Sequence, residues 1–135
     1  MSGMNEVIST TFKLKAAETT VSQYCVSVLD TATEGQVTNP SAAHVGNIAG
    51  VLRDSSLEAG YYGCYQVAGI AKVKIASAVS IGDVLVIADT AGKVEAKGTG
   101  AHTSGEGIVG RAITAGTTSG DIVKCILAIP NEYSS

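Results

Sequence analysis

The chain has 135 residues, 45% of them hydrophobic and 16% charged, with a formal net charge of −3. That is chain enough for one domain with its own core and too apolar for a disordered one. The absence of a Lys/Arg run argues against a dedicated nucleic-acid or anionic-membrane binder, and no stretch of ~18 apolar residues is present to cross a membrane as a helix.

In chain order, Met1–Glu6 has neither the basic nor the apolar region of a signal peptide. Residues 1–20 mix Ser, Thr, Lys and Glu with isolated apolar residues such as Phe12 and Leu14, and read as an N-terminal arm or a peripheral strand. Strands are expected at Gln23–Leu29, His44–Leu52, Tyr61–Val67, Ile70–Ile75, Asp83–Ala88, Lys93–Lys97, Gly107–Ile113 and Asp121–Ile129, all rich in Val, Ile, Tyr or Cys. Turn signals separate them: Thr33-Glu34-Gly35, Glu58-Ala59-Gly60, Ile81-Gly82-Asp83, Thr90-Ala91-Gly92 and Ser119-Gly120-Asp121. Only Ser55–Ala59 and Ala76–Ser80 have room for a helical turn.

An internal repeat organises these strands. Ile48-Ala49-Gly50-Val51-Leu52 matches Ile108-Val109-Gly110-Arg111-Ala112, and Gly60 and Gly120 follow at the same distance. Upstream, Val28–Ala32 matches Ile87–Ala91 and Gly35-Gln36-Val37 matches Gly92-Lys93-Val94, at offsets close to 60 residues. The reading is a single β-domain over residues 21–130, built from two pseudo-repeats at about 21–67 and 79–129, with a loose tail at 131–135. Glycines inside apolar strands, Gly50 and Gly110, mark bulges or close backbone approach. Gly60, Gly82 and Gly120 are placed as turn residues, with Asp83 and Asp121 capping turns through their carboxylates. A bent β-ribbon used twice, or a small barrel, satisfies these positions.

No catalytic constellation is evident. Cys25, Cys64 and Cys125 are odd in number, widely spaced and within expected strands, which reads as buried free thiols rather than a disulfide frame or zinc site. His44 and His102 have no nucleophile partner in the pattern and read as solvated or locally bonded. The Gly98–Gly105 loop lacks the G-K-[ST] ending of a phosphate loop and precedes a strand. Asp30, Asp83, Asp89 and Asp121 sit at strand ends, where a carboxylate bonds turn amides. Neither a cofactor nor a metal is expected. Tyr61, Tyr62 and Tyr65 are half of the chain's aromatic residues; alternation places Tyr61 and Tyr65 on one face and Tyr62 on the other, one face for core and one for an interface. Lys72 and Lys74 alternate with Val73 and Ile75, either protecting a sheet edge or meeting an acidic surface. Phe12, Leu14, Tyr61, Tyr62, Tyr65, Lys72 and Lys74 are the candidate interface residues.

The runs Val67–Ile75, Ile81-Gly82-Asp83-Val84-Leu85-Val86, Ala91-Gly92-Lys93-Val94, Gly107–Ala112 and Ser119-Gly120-Asp121-Ile122-Val123 together resemble the capsid cement, or head decoration, proteins of tailed bacteriophages over about residues 21–129. That resemblance implies a β-clip- or β-tulip-like structural protein, homotrimeric, on the outer capsid surface of the virion and made in the host cytoplasm. It further implies binding to the expanded head, bridging of major capsid protein subunits, an N-terminal arm that pairs with a shell strand, and neither direct nucleic-acid nor membrane contact. Nothing catalytic is carried by the resemblance.

Three other functions compete. A biotinyl- or lipoyl-like carrier domain is also small, β-rich and duplicated; Lys93 is its only candidate, without the usual flanking residues. A β-clip nucleotide hydrolase needs carboxylates converging on Mg²⁺, whereas the acids here are scattered at turns. Another virion component, a head fibre base or a tail protein, is the third.

Overall fold

The computed structural model describes residues 8–16, 20–98 and 107–128. His102, most of the Gly98–Gly105 loop, residues 1–7 and the tail at 131–135 lie outside them. The described residues form twelve strands and no helix: β1 (Ile8–Leu14), β2 (Val21–Ser22), β3 (Val26–Leu29), β4 (Gln36–Thr38), β5 (Ile48–Leu52), β6 (Ser56–Leu57), β7 (Tyr62–Ala68), β8 (Ile70–Lys74), β9 (Val84–Ile87), β10 (Val94–Ala96), β11 (Ile108–Ala112) and β12 (Ile122–Leu127). The fold is all-β, and of the two architectures expected it is the small barrel.

Strands β1-β4-β3-β5-β7 close into a barrel, and β10-β9-β11-β12-β8 form a second five-stranded sheet whose ends meet only at a parallel bridge between Ile75 and Val94. The second set repeats the first strand for strand. Leu14 pairs in parallel with Val37 as Ile75 does with Val94, and Leu52 pairs with Tyr65 as Ala112 does with Cys125. Loop bonds repeat too: Leu14 N donates to Tyr61 O and Gly60 N to Leu14 O, as Ile75 N donates to Asp121 O and Gly120 N to Ile75 O.

The repeat begins earlier than the sequence suggests. Ile8–Leu14 is no arm: β1 pairs with both β7 and β4, and Leu14 is fully buried, so this segment is unavailable to add to a foreign strand. Its counterpart β8 opens the second barrel rather than linking two halves. The match of Val28 with Ile87 is one residue out. Val28 pairs with Ile48 and Val86 with Ile108, so Val28 corresponds to Val86; in a strand that slip exchanges the faces. The path from Ile87 to its partner Val94 is one residue shorter than the path from Leu29 to its partner Val37, which restores the match of Gly92 with Gly35. On the last strand of each copy Cys64 corresponds to Lys124, and Tyr65 to Cys125. The two expected helical turns are absent: Ser56–Leu57 is β6, paired with β2, and Val79 makes a bridge to Gly116.

Each barrel has its own interior. Leu14, Val21, Cys25, Val37, Ala49, Leu52, Leu57 and Tyr65 fill the first, with Phe12 packed against them. The second core contains Val73, Ile75, Leu85, Ile87, Val94, Val109, Val123 and Cys125, but also Val26, Val28, Ile48 and Val51 from the first barrel. The outer flank of β3 and β5 therefore lies against the second barrel. Burial of four such side chains at ~1.5–3 kcal/mol each, an upper estimate, makes this a firm junction.

Backbone bonds show how the junction is made. In the first barrel Lys13 N donates to Gly35 O, sealing the seam between β1 and β4. In the second the equivalent groups are separated: Lys74 N donates to Tyr24 O, and Gly92 O accepts from Val26 N. Residues 24–26 are thus wedged into the second seam, which explains why only the first barrel is closed. Two more bonds, His44 N to Ile87 O and Gly107 N to Val45 O, continue the junction.

Candidate interaction surface

Groups with chemical potential are occupied in holding the fold. Asp83 Oδ2 accepts from Ser80 N at 2.8 Å, Asp121 Oδ2 from Thr117 N and Thr118 N, and Asp30 and Asp89 Oδ1 from the amide two residues on. His44 is buried, not solvated, and its Nε2 lies 2.8 Å from Glu95 Oε2, tying the loop before β5 to β10. All three cysteines are free; burial pushes the Cys125 thiol up to about 12 and raises that of Cys25, which makes both poor nucleophiles. Among the described residues no group of three His, Cys, Asp or Glu is placed to hold a metal ion. Lys93, the carrier candidate, is half-buried, and its amide donates to Asp89 Oδ1.

Gly50 and Gly110 sit beside the register shifts of β5 and β11, where an added Cβ would stand 2.8 Å from Gln66 O and 2.2 Å from Ile126 O. Gly60, Gly82 and Gly120 have φ of +84°, +93° and +94°.

The interface candidates divide. Leu14 and Tyr65 are fully buried and belong to the core. Tyr65 Oη is 2.8 Å from Ser27 Oγ, and burial raises its pKa to about 12 against the lowering effect of that bond. Phe12 is half-buried, edge-on to the Tyr65 ring at 5.8 Å. Tyr61 precedes its strand instead of sharing the inner face with Tyr65, and it and Tyr62 are 66% and 68% exposed. Lys72 is exposed and Lys74 half-buried.

The two lysines belong to a larger surface. On the outer face of the second barrel Lys74 lies opposite Ile122, Lys72 opposite Lys124, and Ile70 opposite Ile126, with Arg111 beyond Ile126 on β11. Ile122, Lys124, Ile126 and Arg111 are exposed. Strands β8, β11 and β12 contain four of the chain's nine Lys and Arg residues and no Asp or Glu. Beside this face a cleft of about 240 Å³ is lined by Tyr24, Arg53, Gln66, Ile70 and Lys72, with the Lys72 ammonium 5.9 Å from the centre of the Tyr24 ring. Sequence reading missed Arg53, Arg111, Lys124, Ile122 and Ile126. The β-branched-rich run Ile122-Val123-Lys124-Cys125-Ile126, interrupted by a single Lys, carried the signal for β12, but cross-strand pairing was needed to set Lys124 beside Lys72.

No protein-family model and no curated protein matches this chain. Among solved structures, the chain is similar to the head fiber gp8.5 N base of bacteriophage phi29, with a TM-score of 0.63 and 14% sequence identity over 91% of this chain and 95% of that one. At that identity the likeness is one of fold.

Proposed function

We propose that this chain is a structural protein of a tailed-phage virion that attaches to the outer surface of the head. The observation that carries the reading is the fold likeness to a head fibre base along nearly the whole of both chains. The sequence resemblance to head decoration proteins points the same way from independent features. In this reading the protein binds the expanded shell, bridges neighbouring major capsid protein subunits and strengthens the head, as a homotrimer and without cofactor or catalysis. Closed symmetry fixes the stoichiometry of such an oligomer, and its several contacts raise binding by ~10²–10⁴ over one contact. The fibre-base role is the second reading, favoured by the neighbour itself; there the attached protein also carries a distal fibre.

The test is co-sedimentation of the purified protein with expanded heads stripped of their outer accessory proteins. Saturable binding at a fixed number per capsomer is expected. Failure to bind across a range of salt concentrations refutes attachment to the shell. Electron microscopy of loaded heads separates a bare decoration from the foot of a fibre.

A further inference from the structure

We propose that the cationic outer face of β8, β11 and β12, with the adjoining Tyr24–Arg53–Lys72 cleft, docks an acidic patch on a partner protein. The proposal relies on the head-attachment reading only to identify that partner as a shell subunit.

The fold does not call for these cations. Lys72 stands directly opposite Lys124 in the β8–β12 ladder, an arrangement that disfavours the sheet. Edge protection accounts for Lys72 and Lys74 on β8, the terminal strand, but not for Lys124, because β12 is an inner strand between β11 and β8. The first barrel supplies an internal control. At the positions of Lys72, Lys124 and Arg111 the same backbone carries Thr11, Cys64 and Val51, so three of the four cations are dispensable to the architecture.

The surroundings define the occupant. Ile70, Ile122 and Ile126 put an apolar surface among the charges, which suits a protein patch that loses water on contact better than a bare polyanion. The cleft adds Arg53 and Lys72 with no carboxylate in its lining. Arg53 uses one donor on Ser9 Oγ at 3.0 Å, and Gln66 Nε2 is committed to the Ala68 and Ile70 carbonyls. The rest of the Arg53 fork and the Lys72 ammonium are therefore the donors suited to an incoming Asp or Glu side chain. Arg111 bonds Gly82 O through one nitrogen at 2.8 Å, which holds its guanidinium at the rim.

The test titrates isotopically labelled full-length protein with a short synthetic peptide of Glu and Asp around a central Leu pair, followed by NMR. Shifts are expected on strands β8 and β12 and at Arg53. The double variant Lys72→Glu/Lys124→Glu is expected to weaken binding about tenfold or more. Lys93→Glu/Lys97→Glu, with the same net charge, is expected to retain it; matching urea midpoints establish that both variants fold. Absence of peptide binding, shifts elsewhere, equal weakening by both variants, or tighter binding of a single-stranded DNA oligonucleotide to the same face each overturns the proposal. Stripped heads then separate the two readings. Heads loaded equally by Lys72→Glu/Lys124→Glu and by the unaltered protein overturn this surface and leave head attachment standing. Peptide binding here without head binding does the reverse.

Discussion

Gly35 and Gly92 occupy the same place in the two barrels, and replacing each by Ala isolates the energetic content of the junction. Both have positive φ, +74° and +92°, so a side chain costs each ~1–2 kcal/mol of backbone strain. Around Gly35 an added Cβ meets nothing within 4 Å, and strain is its whole cost. At Gly92 the Cβ would stand 2.3 Å from Val26 O and 2.8 Å from Val26 N, both backbone atoms that cannot rotate away. Relief requires residues 24–26 to back out of the second seam. That breaks the Val26 N–Gly92 O bond and strands buried polar groups, adding ~1–3 kcal/mol. Gly35→Ala should therefore cost about 1–2 kcal/mol and Gly92→Ala about 2–5 kcal/mol, the larger loss at Gly92, read as urea midpoints at constant m. Equal losses would refute the wedge as the basis of barrel–barrel cohesion.

Removing residues 1–20 should unfold the first barrel, since β1 pairs with two strands and carries Leu14 into the core; a cooperatively folded product in urea denaturation contradicts this. Tyr65→Phe and Ser27→Ala each leave a buried hydroxyl without its partner and should cost ~1–3 kcal/mol apart from packing, while the double variant should cost less than the sum of the two; strict additivity in denaturation would show the hydroxyls uncoupled. The thiol of Cys125 and the phenol of Tyr65 both have folded pKa values raised to about 12, from 9.0 and 10.0. Above pH ~9 the unfolded chain gives up protons that the folded one keeps, so stability should hold below that pH and fall progressively toward pH ~12. Urea midpoints measured across pH 8–11 check the sign, and a rising trend would refute it.

The duplication shows how far residues alone carry the argument. All-β character, the turns at Gly60, Gly82 and Gly120, and the match of Gly50 with Gly110 are local features, legible from β-branched runs punctuated by Gly and Asp. Strand β1 was not legible as core, because Ser9-Thr10-Thr11 has none of the apolar alternation expected of a half-buried strand; the β7 and β4 backbones hold it in place. The slip of Val28 against Ile87 was also invisible, since Val, Leu and Ile fill both faces of β9 and only the pairing reveals the shorter connection.

Of the candidate surface, Lys72 and Lys74 could be read directly, but their neighbours could not. Val51 and Arg111 are equivalent in the backbone, yet one is buried at the junction and the other is exposed. Gly35 is open where Gly92 is pressed against Val26. That one β plan is used twice was legible in the residues alone. Tertiary structure decided which copy of each position meets protein and which meets solvent, because the outer flank of β3 and β5 packs Val51 against the second barrel, whereas Arg111 at the equivalent place on β11 stays exposed.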